Sequence, residues 1–126
     1  MLPKDAKIMV VDDMKMIRTA IKKYLGELGY DNTVEAANGL EAVAKFSSEK
    51  PALVFMDIVM PDMSGNEALT EIRKSDQVTP IVMLTSVAEE NMVKECSNAG
   101  ILGYILKPLN TDNGPGMLSA MLGKVG

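Results

Sequence analysis

The chain has 126 residues, 47% hydrophobic and 24% charged, with a formal net charge of −4. That is enough for one domain around one core, and no run of lysine and arginine is dense enough to follow a nucleic-acid backbone, so direct DNA or RNA binding is disfavoured. A single cysteine, Cys96, excludes an internal disulfide, and the lack of histidine excludes a His-held metal and any imidazole base. No apolar run approaches the ~20 residues of a membrane span, so the chain is expected to avoid the membrane and reside in the cytoplasm.

In chain order, residues 8–12 (IMVVD) read as a first strand. A helix follows over 14–28, with Met14, Ile17, Ile21, Leu25 and Leu28 at helical spacing and Gly29 as its stop. Thr33–Ala37 is a short second strand, and Asn38–Gly39 reads as a turn. Leu40, Ala44 and Phe46 indicate a second helix that ends before Pro51. Ala52–Asp57 is a third strand, continuously apolar up to its aspartate, as expected of a parallel strand covered on both faces. A loop with Pro61 leads to a helix over 65–74. Pro80 opens a fourth strand, IVMLT, and residues 88–99 form a helix carrying Met92, Val93 and Cys96. Leu102–Leu106 is the fifth strand. The turn-rich stretch 110–116 delays the last helix to Met117–Val125. Strands alternating with helices through short connections favour a three-layer α/β sandwich with a parallel sheet.

In such a sheet, ligands gather at the carboxyl ends of the strands. Asp12, Asp13, Asp57, Thr85 and Lys107 all fall at such ends. Packed carboxylates repel unless a cation neutralises them, and hard oxygen ligands in a compact site suit Mg²⁺. Asp13 and Asp57 are assigned as direct ligands and Asp12 as a ligand through water, with the main-chain carbonyl of Val59 a candidate further oxygen. Asp57 is the best-placed nucleophile, and attack of its carboxylate on phosphorus would give an acyl phosphate. Lys107 is expected to pair with Asp57 or its phosphoryl group. The Thr85 hydroxyl is expected to bond the phosphoryl oxygen, with Ser86 as a competing donor. Movement of Thr85 would free space for Tyr104 to turn. Eleven methionines read as core filler, with Met63 and Met92 as candidates for a partner surface.

The segments VVDD (10–13), MDIVMPDMSG (56–65), MLTS (83–86) and AGILGYILKP (99–108) together resemble the receiver domain of two-component response regulators. The resemblance spans nearly the whole chain. It implies a flavodoxin-like (βα)5 sandwich with strand order 2-1-3-4-5 and one receiver domain over residues 1–126, without an output domain. It places the phosphoacceptor on Asp57, the acidic pair on Asp12 and Asp13, the switch pair on Thr85 and Tyr104, and a lysine on Lys107, with a cis bond to Pro108. A sensor histidine kinase would supply the phosphoryl group. The chain would catalyse only its own phosphorylation and dephosphorylation rather than turn over external substrates.

Activation would alter the surface of the fourth helix, fifth strand and fifth helix. The downstream partner would be a protein: a flagellar motor switch protein if the pathway is chemotaxis, or a phosphotransfer protein if the chain is a phosphorelay intermediate or another lone regulator. A monomer is the expected state. Ser86 where alanine is common, and Leu109 where an aromatic is common, depart from the family pattern. Val59 and Val87 flank the expected pocket and are assigned to limiting the hydrolytic water. An aspartyl phosphohydrolase would need a second acid and a cap, which the sequence does not offer. A flavodoxin-like electron carrier would need ring-stacking contacts, and there is no tryptophan.

Overall fold

The computed structural model describes residues 2–86, 94 and 99–125. Nearly all of the helix expected at 88–99, with Met92, Val93 and Cys96, lies outside these residues, as does Val87. The strands are β1 (Ile8–Val11), β2 (Thr33–Ala36), β3 (Leu53–Asp57), β4 (Ile81–Thr85) and β5 (Gly103–Leu106). The helices are α1 (Lys15–Glu27), α2 (Gly39–Glu49), α3 (Gly65–Arg73) and, last among the described residues, α4 (Gly114–Leu122). The sheet runs β2-β1-β3-β4-β5 with every pairing parallel, the order that the resemblance implies.

The core divides in two because side chains alternate across each strand. Met9, Val11, Val54, Met56, Ile81 and Met83 point to one face and pack with Ala42 and Phe46 of α2 and Leu69 and Ile72 of α3. Ile8, Val10, Leu53, Phe55, Val82 and Leu84 point to the other and pack with Ile21 and Leu25 of α1 and Leu118 and Leu122 of α4. Each fully buried side chain of this size contributes roughly 1.5–3 kcal/mol. The continuous apolar runs of β1, β3 and β4 therefore signal two-sided burial.

Local signals fix the helix ends. Gly29 takes φ +93°, and Tyr30 N donates to the Leu25 carbonyl at 2.8 Å while Gly29 N donates to Gly26. This double bond pattern is a Schellman stop, and it ends α1 where the sequence indicates. Ser64 and Glu67 form a capping box at the start of α3.

Five readings need correction. Asn38 is not in a free turn: its side chain caps α2 by accepting from Glu41 N at 2.9 Å, and Gly39 is the helix's first residue. Leu40 and Ala44 belong to that helix but lie on its exposed side, with Leu40 55% exposed, because Ala42 and Phe46 take the core face. Met14 is likewise exposed at the rim, and Met63 is half-buried against the core rather than free on the surface. Finally, α4 starts at Gly114, three residues before the expected Met117. The breaker-rich stretch is an ordered helix start: Asn110 and Asn113 exchange side-chain to main-chain bonds, and Pro115 occupies the first turn, where no N–H is needed. Gly114 is required there, since a Cβ would lie 2.6 Å from the Tyr24 ring.

Candidate functional site

Three buried polar or charged side chains stand out among the described residues: Asp12 (0% exposed), Asp57 (4%) and Thr85 (0%). They follow or end β1, β3 and β4, and all three lie at the carboxyl edge of the sheet. Burying such groups is costly unless they are paired, so their concentration at one place marks a built site.

The ladder brings them together. Val11 pairs with Met56, Asp57 with Leu84, and Thr85 with Leu106. Main-chain bonds continue past the strand ends, from Asp12 N to the Ala36 carbonyl at 3.2 Å and from Lys107 N to the Thr85 carbonyl at 2.7 Å. Asp12 and Asp57 therefore project from neighbouring strand ends, and Lys107 reaches them from the end of β5, across β4. Lys107 Nζ lies 3.1 Å from Asp12 Oδ2 and 3.3 Å from Asp57 Oδ1. The expected pairing of Lys107 with Asp57 is present, and Asp12 shares it. Burial lowers the Lys107 ammonium, but the charges of Asp57 and Asp12 outweigh burial and hold its pKa above the ordinary lysine value. The Lys107–Pro108 bond is cis.

One carboxylate oxygen from each of Asp12, Asp13 and Asp57 lies within 4.8 Å of the other two. Acidic groups packed this closely repel one another, and Lys107 Nζ offsets that repulsion at Asp12 and Asp57. A divalent cation would offset it further, and the all-oxygen donor set suits Mg²⁺. Asp12 Oδ1 also accepts from Met14 N at 2.9 Å, so both Asp12 oxygens have protein partners, whereas Asp13 is exposed at the mouth.

The loop after Asp57 is closed tightly. Gly65 N donates to the Ile58 carbonyl at 2.7 Å, and a Cβ on Gly65 would lie 2.1 Å from the Asp57 carbonyl oxygen. Only glycine permits this closure, which explains the glycine ending the MDIVMPDMSG segment. Within the loop, Met63 N bonds the Pro61 carbonyl at 2.8 Å around Asp62, whose φ of +68° makes a γ-turn of the strained kind. Val59, two residues after Asp57, is 51% exposed. The Thr85 hydroxyl donates to the Ser86 carbonyl at 3.1 Å. Tyr104, 50% exposed, stands outward from β5, an edge strand.

Sequence reasoning missed Arg18. Its Nη1 donates to the Asp12 carbonyl at 2.6 Å, and its Nε donates to Glu35 Oε1 at 3.0 Å. Glu35, on β2, also accepts from Lys22 at 3.0 Å. The Lys22 hydrogen bond outweighs burial and, with Arg18, lowers the Glu35 pKa from its ordinary value. No local pattern links these positions, because their contact depends on β1 and β2 pairing. A cleft of about 470 Å³ between α2 and α3, lined by Phe46, Ile72 and Thr79 among others, lies at the opposite end of the strands and gathers no comparable cluster of carboxylates.

The family model described as the response regulator receiver domain matches residues 8–118. The chemotaxis protein CheY of Bacillus subtilis is 39% identical over 106 residues, 84% of this chain and 88% of that protein. The structure of CheY4 from Vibrio cholerae aligns with a TM-score of 0.84 at 32% identity, over 97% of this chain and 99% of that one. The CheX–CheY–BeF3–Mg²⁺ complex from Borrelia burgdorferi gives a TM-score of 0.83 at 27% identity, over 93% of this chain and 86% of that one. The chain belongs to the response regulator receiver family.

Proposed function

We propose that this protein is a phosphorylation-activated signalling switch that accepts a phosphoryl group on Asp57. The observation that carries the reading is the buried Asp57 carboxylate beside Lys107 at 3.3 Å, with one oxygen within 4.8 Å of an oxygen of Asp12 and of Asp13. Asp57 oxygen forms a bond to phosphorus while the bond from phosphorus to the donor breaks. The donor atom leaves with that electron pair, and the product is an aspartyl phosphate. Asp13, Asp57 and the Val59 carbonyl would hold Mg²⁺ directly and Asp12 through water; the ion would neutralise charge on the phosphoryl oxygens. Lys107 binds a phosphoryl oxygen from the opposite side. It also offsets the charge of Asp57 before transfer.

The donor in this reading is a sensor histidine kinase, through its phosphohistidine. Water later hydrolyses the acyl phosphate, so the chain acts on itself and not on external substrates. After transfer, the Thr85 hydroxyl exchanges its Ser86 carbonyl for a phosphoryl oxygen, and the exposed Tyr104 turns inward. The face around β5 and α4 then binds a protein partner. The curated relative cited above supports chemotaxis, with a flagellar motor switch protein as target, and the Borrelia complex shows that a similar protein is bound by a protein partner. Residues 1–126 would work as one receiver in the cytoplasm. None of the described helices is long and apolar enough to cross a membrane.

The test is intact mass after incubation with Mg²⁺ and a small phosphodonor, with Asp57→Asn alongside. A Mg²⁺-dependent gain of one phosphoryl group, lost in the variant, supports the reading; an equal gain in the variant refutes Asp57 as acceptor. Rapid back-transfer to a histidine phosphotransfer domain, with no binding to a motor switch protein, would move the function from chemotaxis to a phosphorelay.

A further inference from the structure

We infer that Arg18 is a positioning residue for the cation site, acting through the main chain of Asp12; the inference rests on the Mg²⁺ reading above. Asp12 is held at four points. Its Oδ1 accepts from Met14 N, its Oδ2 meets Lys107 Nζ at 3.1 Å, its N donates to the Ala36 carbonyl at 3.2 Å, and its carbonyl accepts from Arg18 Nη1 at 2.6 Å. The first two contacts orient the carboxylate, while the last two fix the chain that carries both it and Asp13. Arg18 can do this because its fork is anchored: Nε bonds Glu35 Oε1 at 3.0 Å, and Lys22 holds the other Glu35 oxygen at 3.0 Å. The guanidinium therefore bridges the end of β1 to edge strand β2 in a fixed plane. A single ammonium would not reproduce this two-edged geometry. Groups that orient metal ligands from behind commonly change metal affinity by about 10–100-fold when lost.

Charge gives this inference a sign that a simple electrostatic role does not share. Arg18 is a cation touching an aspartate of the cluster. By Coulomb's law alone, removing it would strengthen the binding of another cation. A positioning role demands the reverse. Exposed Lys15, on the same helix turn, is the control, because no hydrogen bond or ion pair among the described residues ties it to the cluster.

Mg²⁺ affinity is to be measured by titration calorimetry on the unphosphorylated full chain, with the parent, Arg18→Gln, Arg18→Lys, Lys15→Gln and Asp13→Asn compared. Loss of binding in Asp13→Asn establishes the cation site independently of Arg18. The expected result is a Kd raised about tenfold in Arg18→Gln, raised in the charge-preserving Arg18→Lys, and unchanged or lowered in Lys15→Gln. Arg18→Lys decides the matter if Arg18→Gln does not fold. A Kd in either Arg18 variant equal to or below that of the parent overturns the positioning role while the cation site stands. No Mg²⁺ binding by the parent overturns both.

Discussion

Gly65→Ala is the most direct test of how the backbone shapes the site. The new methyl would lie 2.1 Å from the Asp57 carbonyl oxygen, 2.9 Å from Ile58 Cα and 3.0 Å from the Asp57 carbonyl carbon. Ordinary contact starts near 3.4 Å, so the closest approach falls short by more than an ångström, and every atom it meets is backbone. The loop must open, which strains or breaks the 2.7 Å bond from Gly65 N to the Ile58 carbonyl. Overpacking typically costs about 1–3 kcal/mol, and the lost hydrogen bond costs roughly 0.5–1.5 kcal/mol. Replacing glycine at a helix start returns at most about 1 kcal/mol. The net loss is about 2–3 kcal/mol, which for a chain of this length lowers the melting temperature by roughly 10 °C. Because the displaced atom is the Asp57 carbonyl, Mg²⁺-dependent phosphorylation should slow as well. Thermal unfolding by circular dichroism and phosphorylation by intact mass, at a temperature where both proteins are folded, read the two effects. A variant that melts and phosphorylates like the parent would refute the argument that this closure sets the position of Asp57.

Further outcomes follow from other contacts. Arg73 donates to the carbonyls of Asp76, Thr79 and Gly100, tying the end of α3 to the start of β4, so Arg73→Met should cost about 2–3 kcal/mol in denaturant unfolding. Glu35 and Asp76 both titrate below their ordinary values of 4.5 and 3.8, the first chiefly through Lys22 and the second chiefly through the Thr79 main-chain N–H. Their folded pKa values are depressed, so their stabilisation is present above the ordinary values and is lost as pH falls through the folded ones; Asp76→Asn should flatten the acid side of a plot of melting temperature against pH. Leu40→Glu should change stability by less than about 0.5 kcal/mol, whereas Ala42→Glu on the buried face of the same helix should prevent folding. Val59→Asn, at the exposed position two residues after Asp57, should speed loss of the phosphoryl group, followed by intact mass over time; an unchanged rate would remove Val59 from control of the hydrolytic water.

The strands β1, β3 and β4 were legible because two-sided burial writes itself as unbroken apolar runs, and IMVV, LVFMD and IVMLT are buried from end to end. Helix ends were legible where a residue acts locally, as Gly29 does at the end of α1. Faces were less legible. Leu40, Ala44 and Phe46 marked a helix correctly, but three apolar positions over two turns fit two faces, and packing against the sheet chose Ala42 and Phe46. The start of α4 was misread because Gly114 and Pro115 break helices in isolation, whereas here one lies against the Tyr24 ring and the other occupies the first turn.

By itself, the sequence determined that acids, a hydroxyl and a lysine sit at the carboxyl ends of alternate elements in a parallel α/β chain. It could do so because strand ends and charge types are local properties. Only the tertiary structure decided that Asp12 shares Lys107 with Asp57, that Gly65 closes on the Asp57 carbonyl, and that Arg18 and Glu35 brace Asp12 from behind. The contacts of Lys107 and Glu35 join residues far apart in the chain, and they exist only because parallel pairing sets β2, β1, β3, β4 and β5 side by side in one register.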